Sequence, residues 1–182
     1  MRQIRQLSTA LTASSHALAR LELWLCQILI VAFSTLLLVN VTMRYTVSAP
    51  IYFAEELAVY ILIWMAFLAI AATIARQEMI ALTFVADLAS RRLRRGLHIL
   101  VDLIVLGMVV ALAWVSWRWL QSPAMQFEQA LTLGMVKRPF YAIVPIFFSL
   151  ATLHTAANLL RHLTPPTPED RPPVHATLER AP

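Results

Sequence analysis

Few residues in this chain can do chemistry, and most of those sit where chemistry is difficult. Asp102 lies inside a long apolar stretch, and a carboxylate there is costly unless it binds an ion, carries a proton or meets a partner. The plainer of these readings is a structural ion pair, with Arg76 as a candidate partner. His98 and His154 lie toward the same end of two neighbouring apolar stretches. Two imidazoles on adjacent helices can ligate a haem. The plainer reading makes His98 an interfacial residue and His154 a hydrogen-bonded group inside a bundle. Cys26 is the single cysteine, which excludes an internal disulfide or a multi-cysteine metal site and leaves a small packing residue. No glycine-rich phosphate loop, HExxH or GxSxG is present, so no enzymatic activity and no cofactor is expected. The remaining oddity is Glu55-Glu56, two adjacent carboxylates opening an apolar run.

The elements that must position these residues are membrane helices. Of the 182 residues 59% are hydrophobic and 14% are charged, against about 45–50% and about 25% in soluble domains. Four stretches reach the ~20 mainly apolar residues needed to cross a bilayer: 21–43, 54–75, 97–119 and 140–160. With 3 glycines and no alternating strand pattern, the chain does not read as a β-barrel. The fold class is therefore an all-α integral membrane protein with four transmembrane helices in one domain, 1–163. The first run is too long for a signal-peptide core and lacks a small-residue cleavage site, so it reads as a retained span.

Eleven of the 15 basic residues fall in the N-terminal segment, the 76–96 connection and the tail. Arg44, Arg118, Lys137 and Arg138 fall on the other side. That bias makes both termini cytoplasmic. It also accounts for the positive charge through orientation and anionic lipid rather than nucleic acid. Within 76–96, residues 80–94 carry a broad apolar face (Ile80, Phe84, Leu88) and a polar wedge (Asp87, Arg91, Arg94). This predicts an amphipathic helix lying in the interface, the other reading being a cytoplasmic extension of a neighbouring span. "RRLRR" (91–95) serves as a cytoplasmic anchor or an acidic-lipid site. The proline-rich 164–182 reads as a disordered cytoplasmic tail. No internal repeat is apparent, so the signature of a self-contained transporter is missing.

The second span has the most organised face. Glu56, Tyr60, Ile63, Trp64 and Phe67 share one side at helical spacing. Ala69/Thr73 and Ala71/Ala75 are small-xxx-small pairs that admit a close helix. Glu55 and Glu56 lie about 100° apart around the helix. Glu56 is therefore expected to face protein with Tyr60 and Trp64, and Glu55 to face Arg44 or the headgroups. Both occupy a helix N-terminus, where negative charge is favoured by ~0.3–1 kcal/mol.

Taken in order, Arg44-Tyr45, Pro50, Glu55-Glu56, Tyr60, Trp64, Phe67, Arg76 and Glu78 resemble the small membrane subunit of tripartite ATP-independent periplasmic (TRAP) transporters. Leu133-Gly134 and Pro145 are similar to that family's Leu-Gly turn and mid-span proline. The resemblance covers about 21–160. It departs from the family at "MIALT" (79–83), where Met79 and Thr83 replace a histidine and an aspartate, so no role of that histidine carries over.

The resemblance implies a partner-dependent role in the bacterial inner membrane. A periplasmic solute-binding protein captures an organic acid, and a large multi-span permease subunit moves it, driven by sodium. The small subunit packs against that permease as a scaffold. Arg44, Glu55, Glu56, Tyr60, Trp64, Phe67, Arg76 and Asp102 are then expected at partner or intra-bundle contacts, with no catalytic, substrate or metal site. Lys137 and Arg138 on the outward loops are placed to touch the binding protein. The reading from a different class is a haem-bearing membrane anchor of a respiratory oxidoreductase, through His98 and His154.

Overall fold

The computed structural model describes residues 2–76 and 91–163. It contains four helices long and apolar enough to cross a membrane. The first, α1 (Arg2–Thr46), is continuous over 45 residues. At 1.5 Å per residue it is about 68 Å long, more than twice the ~30 Å of a hydrocarbon core. The expected span 21–43 is thus the C-terminal part of a longer rod. Residues 2–20 hold no glycine or proline and are rich in alanine, leucine, glutamine and arginine. All four are good helix formers, so nothing stops the helix at the membrane face.

At its other end α1 unwinds at Ser48, which has a φ of 55°. The loop is pinned back by buried Asn40, whose side-chain oxygen accepts the Ile51 amide at 2.8 Å. The chain then enters α2 (Ala54–Arg76), with Glu55 and Glu56 in its first turn and Arg76 in its last. Both ends complement the helix dipole.

Helix α3 (Arg91–Leu120) begins six residues before the expected third span. "RRLRR" (91–95) falls within this helix. The rest of the expected amphipathic helix, residues 80–90, lies outside the described residues, as do Glu78 and the tail 164–182.

The 120–139 connection is structured. Short helix α4 (Pro123–Phe127) leads to a hairpin of two residues per strand, β1 (Gln129–Ala130) against β2 (Met135–Val136). Gly134 makes the turn at φ 62°, a conformation that disfavours side chains with a Cβ. The short helix α5 (Arg138–Tyr141) precedes α6 (Ile143–Leu163). Pro145 falls in the first turn of α6, where its missing N–H disturbs the ladder least.

The last helix is the hub. It packs against α1, α2 and α3, while α1 also pairs with α2. One cluster joins Ala71 of α2, Val109 of α3, and Phe147 and Ala151 of α6. A second joins Ala19 of α1 to Ala72 and Ala75 of α2. Alanines at these crossings let the backbones approach closely, which drives association where lipid tails remove most of the hydrophobic gain.

Candidate functional site

Three sets of polar contacts tie the bundle together, one at the lip where α1 passes into α2 and two toward the opposite end. At the lip, Arg44 donates to Glu55 at 2.5 Å, with the two side chains 49% and 69% exposed. Such an open pair contributes about 0–1 kcal/mol. Glu56 turns the other way. Its Oε2 accepts the Thr132 amide at 2.7 Å and the Thr132 hydroxyl, and its Oε1 accepts the Tyr60 hydroxyl at 3.3 Å. The carboxylate thereby closes the hairpin loop onto the start of α2.

The aromatic stripe below continues the seam. Tyr60 stacks on Phe140 with centroids 4.3 Å apart. The Trp64 indole donates to the Phe140 carbonyl at 2.8 Å, and Phe67 meets Phe147 at 5.0 Å. The stripe is therefore used within the chain, against α5 and α6. Beside the hairpin, Lys137 donates to Glu128 at 2.9 Å. That hydrogen bond holds the ammonium above the usual lysine range. Its contribution is present at neutral pH and fades only as pH rises through the raised value.

The second set lies deep between α1 and α6. His154 is fully buried, and both its ring nitrogens are engaged. Nδ1 lies 2.7 Å from the Ser15 hydroxyl, and Nε2 lies 3.0 Å from Glu22 Oε1. Ser15 and Glu22 are each 2% exposed. In the tautomer that donates from Nε2 to the carboxylate, Nδ1 accepts from Ser15, and every ring position is satisfied. Serine, imidazole and carboxylate follow the order of a hydrolytic triad, but with the ring nitrogens exchanged, since in a triad the serine meets Nε2 and the carboxylate meets Nδ1. Glu22 Oε2 and Thr155 Oγ1 have no hydrogen-bond partner among the described residues.

The third set joins α3 to the end of α6. Asp102 meets His162 Nδ1 at 2.7 Å, and the His162 ring lies 5.2 Å from that of His98. The expected Arg76 thus gives way to a histidine as the partner seen on Asp102. Nearby, Asn158 donates to the Ile74 carbonyl at 2.9 Å, tying α6 to α2. This arrangement does not favour the haem reading. His98 sits at the level of His162, eight residues or about 12 Å along the helix from His154, and His154 has no ring nitrogen left for iron.

Sequence reasoning missed Ser15, Glu22, Thr132 and His162. For the first two a signal existed: Ser15, Ala19 and Glu22 recur at i, i+4, i+7, one face of a helix. Thr132 and His162 carried none, because their partners lie 76 and 60 residues away.

Residues 33–164 match the model of a family described as tripartite ATP-independent periplasmic transporters, DctQ component. The chain belongs to the DctQ family. The match takes in the C-terminal end of α1 and all the later described helices, including every residue of the Glu56 seam and of the Asp102–His162 contact. Of the buried triad it includes His154, while Ser15 and Glu22 precede it. As a DctQ component the chain is a small subunit of a TRAP transporter, a multi-pass membrane protein that works with other components, in a family defined by transport rather than catalysis. No curated protein sequence matches it.

Proposed function

We propose that this DctQ-family chain is a scaffold subunit in the bacterial inner membrane, with both termini cytoplasmic. It packs against and stabilises a large permease subunit. That permease carries an organic acid, delivered by a periplasmic binding protein and coupled to sodium.

One observation carries the scaffold role: the interior polar groups hold this bundle's helices to one another. Glu56 closes a loop, Glu22 and His154 join α1 to α6, and Asp102 and His162 join α3 to α6. A cavity of about 300 Å³ between α1, α2 and α6 is walled chiefly by aliphatic side chains such as Leu18, Leu25, Leu68, Ile143 and Leu150. Among the described residues that line it Glu22 is the one ionisable group, and the Trp64 N–H is already donated, so these residues offer a carboxylate solute neither a cation nor a free donor. An anionic substrate needs such groups, and in this reading they belong to the larger subunit. The arginine distribution supports the orientation, and sodium and the organic acid follow from the family resemblance alone.

Co-purification tests the assembly. A tagged copy of this chain, expressed with its large permease, is expected to bring that permease down in near-equal amount from mild detergent. Recovery of the chain alone, under conditions where the permease is present in the membrane, would contradict the reading.

A further inference from the structure

The outer side of α1 carries polar side chains where lipid cannot serve them. Trp24, Val31 and Leu38 are 60%, 65% and 68% exposed, a maximum at every seventh residue. Between them Gln27, Ser34 and Thr35 are exposed too, and none has a hydrogen-bond partner among the described residues. Gln27 is seven residues from Arg20, about 10 Å along the helix, which is beyond the reach of a short amide toward the headgroups. All six residues share one face about 21 Å long, at the alternating spacing of three and four by which one helix packs along another.

The other membrane helices show what a lipid-facing surface of this protein looks like. On α3 the exposed side chains between 99 and 117 are apolar, Ile104, Met108 and Trp114 among them, and the polar residues of that stretch turn inward. On α2 the exposed Thr73 hydroxyl is bound to the Ala69 carbonyl. On α6 exposed Ser149 bonds the Pro145 carbonyl. An amide left open to hydrocarbon is costly, because lipid tails offer neither donor nor acceptor. A neighbouring helix offers both.

We infer that the Gln27–Leu38 face of α1 is the docking surface for a transmembrane helix of the large permease subunit. That helix presents a side chain or a freed backbone group that hydrogen-bonds Gln27. The inference rests on the scaffold reading, and a transporter built from several components supplies the partner. It leaves the α3 face to lipid.

Photo-crosslinking in membranes holding the complete transporter decides it. A benzophenone amino acid at Val31 or Leu38 is expected to give an adduct with the permease, while the same group at Ile104 or Met108 is not. Independently, Gln27→Leu is expected to lower permease retention about 3- to 30-fold, the range for one interhelical hydrogen bond in a membrane. The melting temperature of the isolated subunit should not change, since the side chain points away from its own bundle. Permease adducts from α3 and none from α1 would overturn the assignment with the scaffold reading intact. An α1 adduct of twice the chain's own mass would replace the permease with a second copy and overturn it as well. Unchanged retention of Gln27→Leu would remove the hydrogen bond from the account. If no position crosslinks and the permease fails to co-purify, the scaffold reading falls too.

Discussion

His154→Leu is expected to destabilise the detergent-solubilised subunit by about 3–5 kcal/mol, because it strands the Glu22 carboxyl in a dry interior without its partner. Glu22 is 2% exposed, and its second oxygen already lacks a partner. Removing the imidazole therefore leaves the whole group unsatisfied. The Ser15 hydroxyl loses its contact in the same step. The double variant Glu22→Leu/His154→Leu should recover much of the loss, since replacing an entire buried pair with apolar groups is often near neutral. A thermal-melting double-mutant cycle checks both statements. Additive losses would mean that the two residues act separately, and a parental melting curve for His154→Leu would mean that the tie contributes nothing.

Ala71→Leu is the second large effect. Ala71 is fully buried where α2 meets Val109 of α3 and Phe147 and Ala151 of α6. Three further heavy atoms have no space at this crossing, so the helices must separate. Overpacking of a tight interior costs about 1–3 kcal/mol, and here it also breaks the close approach that holds membrane helices together. Ala69→Leu, two residues away and exposed, should melt within about 0.5 kcal/mol of the parent. The two variants differ only in the side of α2 they occupy. Equal melting temperatures would contradict the placement of Ala71 in the core.

The part of the fold legible in the sequence is the part written in uninterrupted apolar runs. The expected second span, 54–75, lies within one residue of α2, Ala54–Arg76, because proline and charge bound that run on both sides. The extent of α1 was not legible, because residues 2–20 continue the helix as an amphipathic rather than an apolar segment. Glu55 and Glu56 lie about 100° apart around the helix, and in the structure one meets Arg44 and the other Thr132. That the aromatic stripe closes on its own last helix was not legible. A docking face and an internal seam have the same periodicity, and only the fold shows what covers it. Glu22 illustrates the general limit. Beside Arg20 it reads as an ordinary membrane-edge charge, and only a histidine 132 residues later turns it into a buried tie.

The central claim, a scaffold that moves no solute itself, is tested most directly by uptake into proteoliposomes. Vesicles are prepared with this chain alone, with the large permease alone, and with both, each supplied with the purified binding protein, a labelled organic acid and an inward sodium gradient. The account predicts sodium-dependent uptake when both membrane chains are present, and none above empty vesicles for this chain alone. Solute accumulation by vesicles that contain only this chain would contradict it.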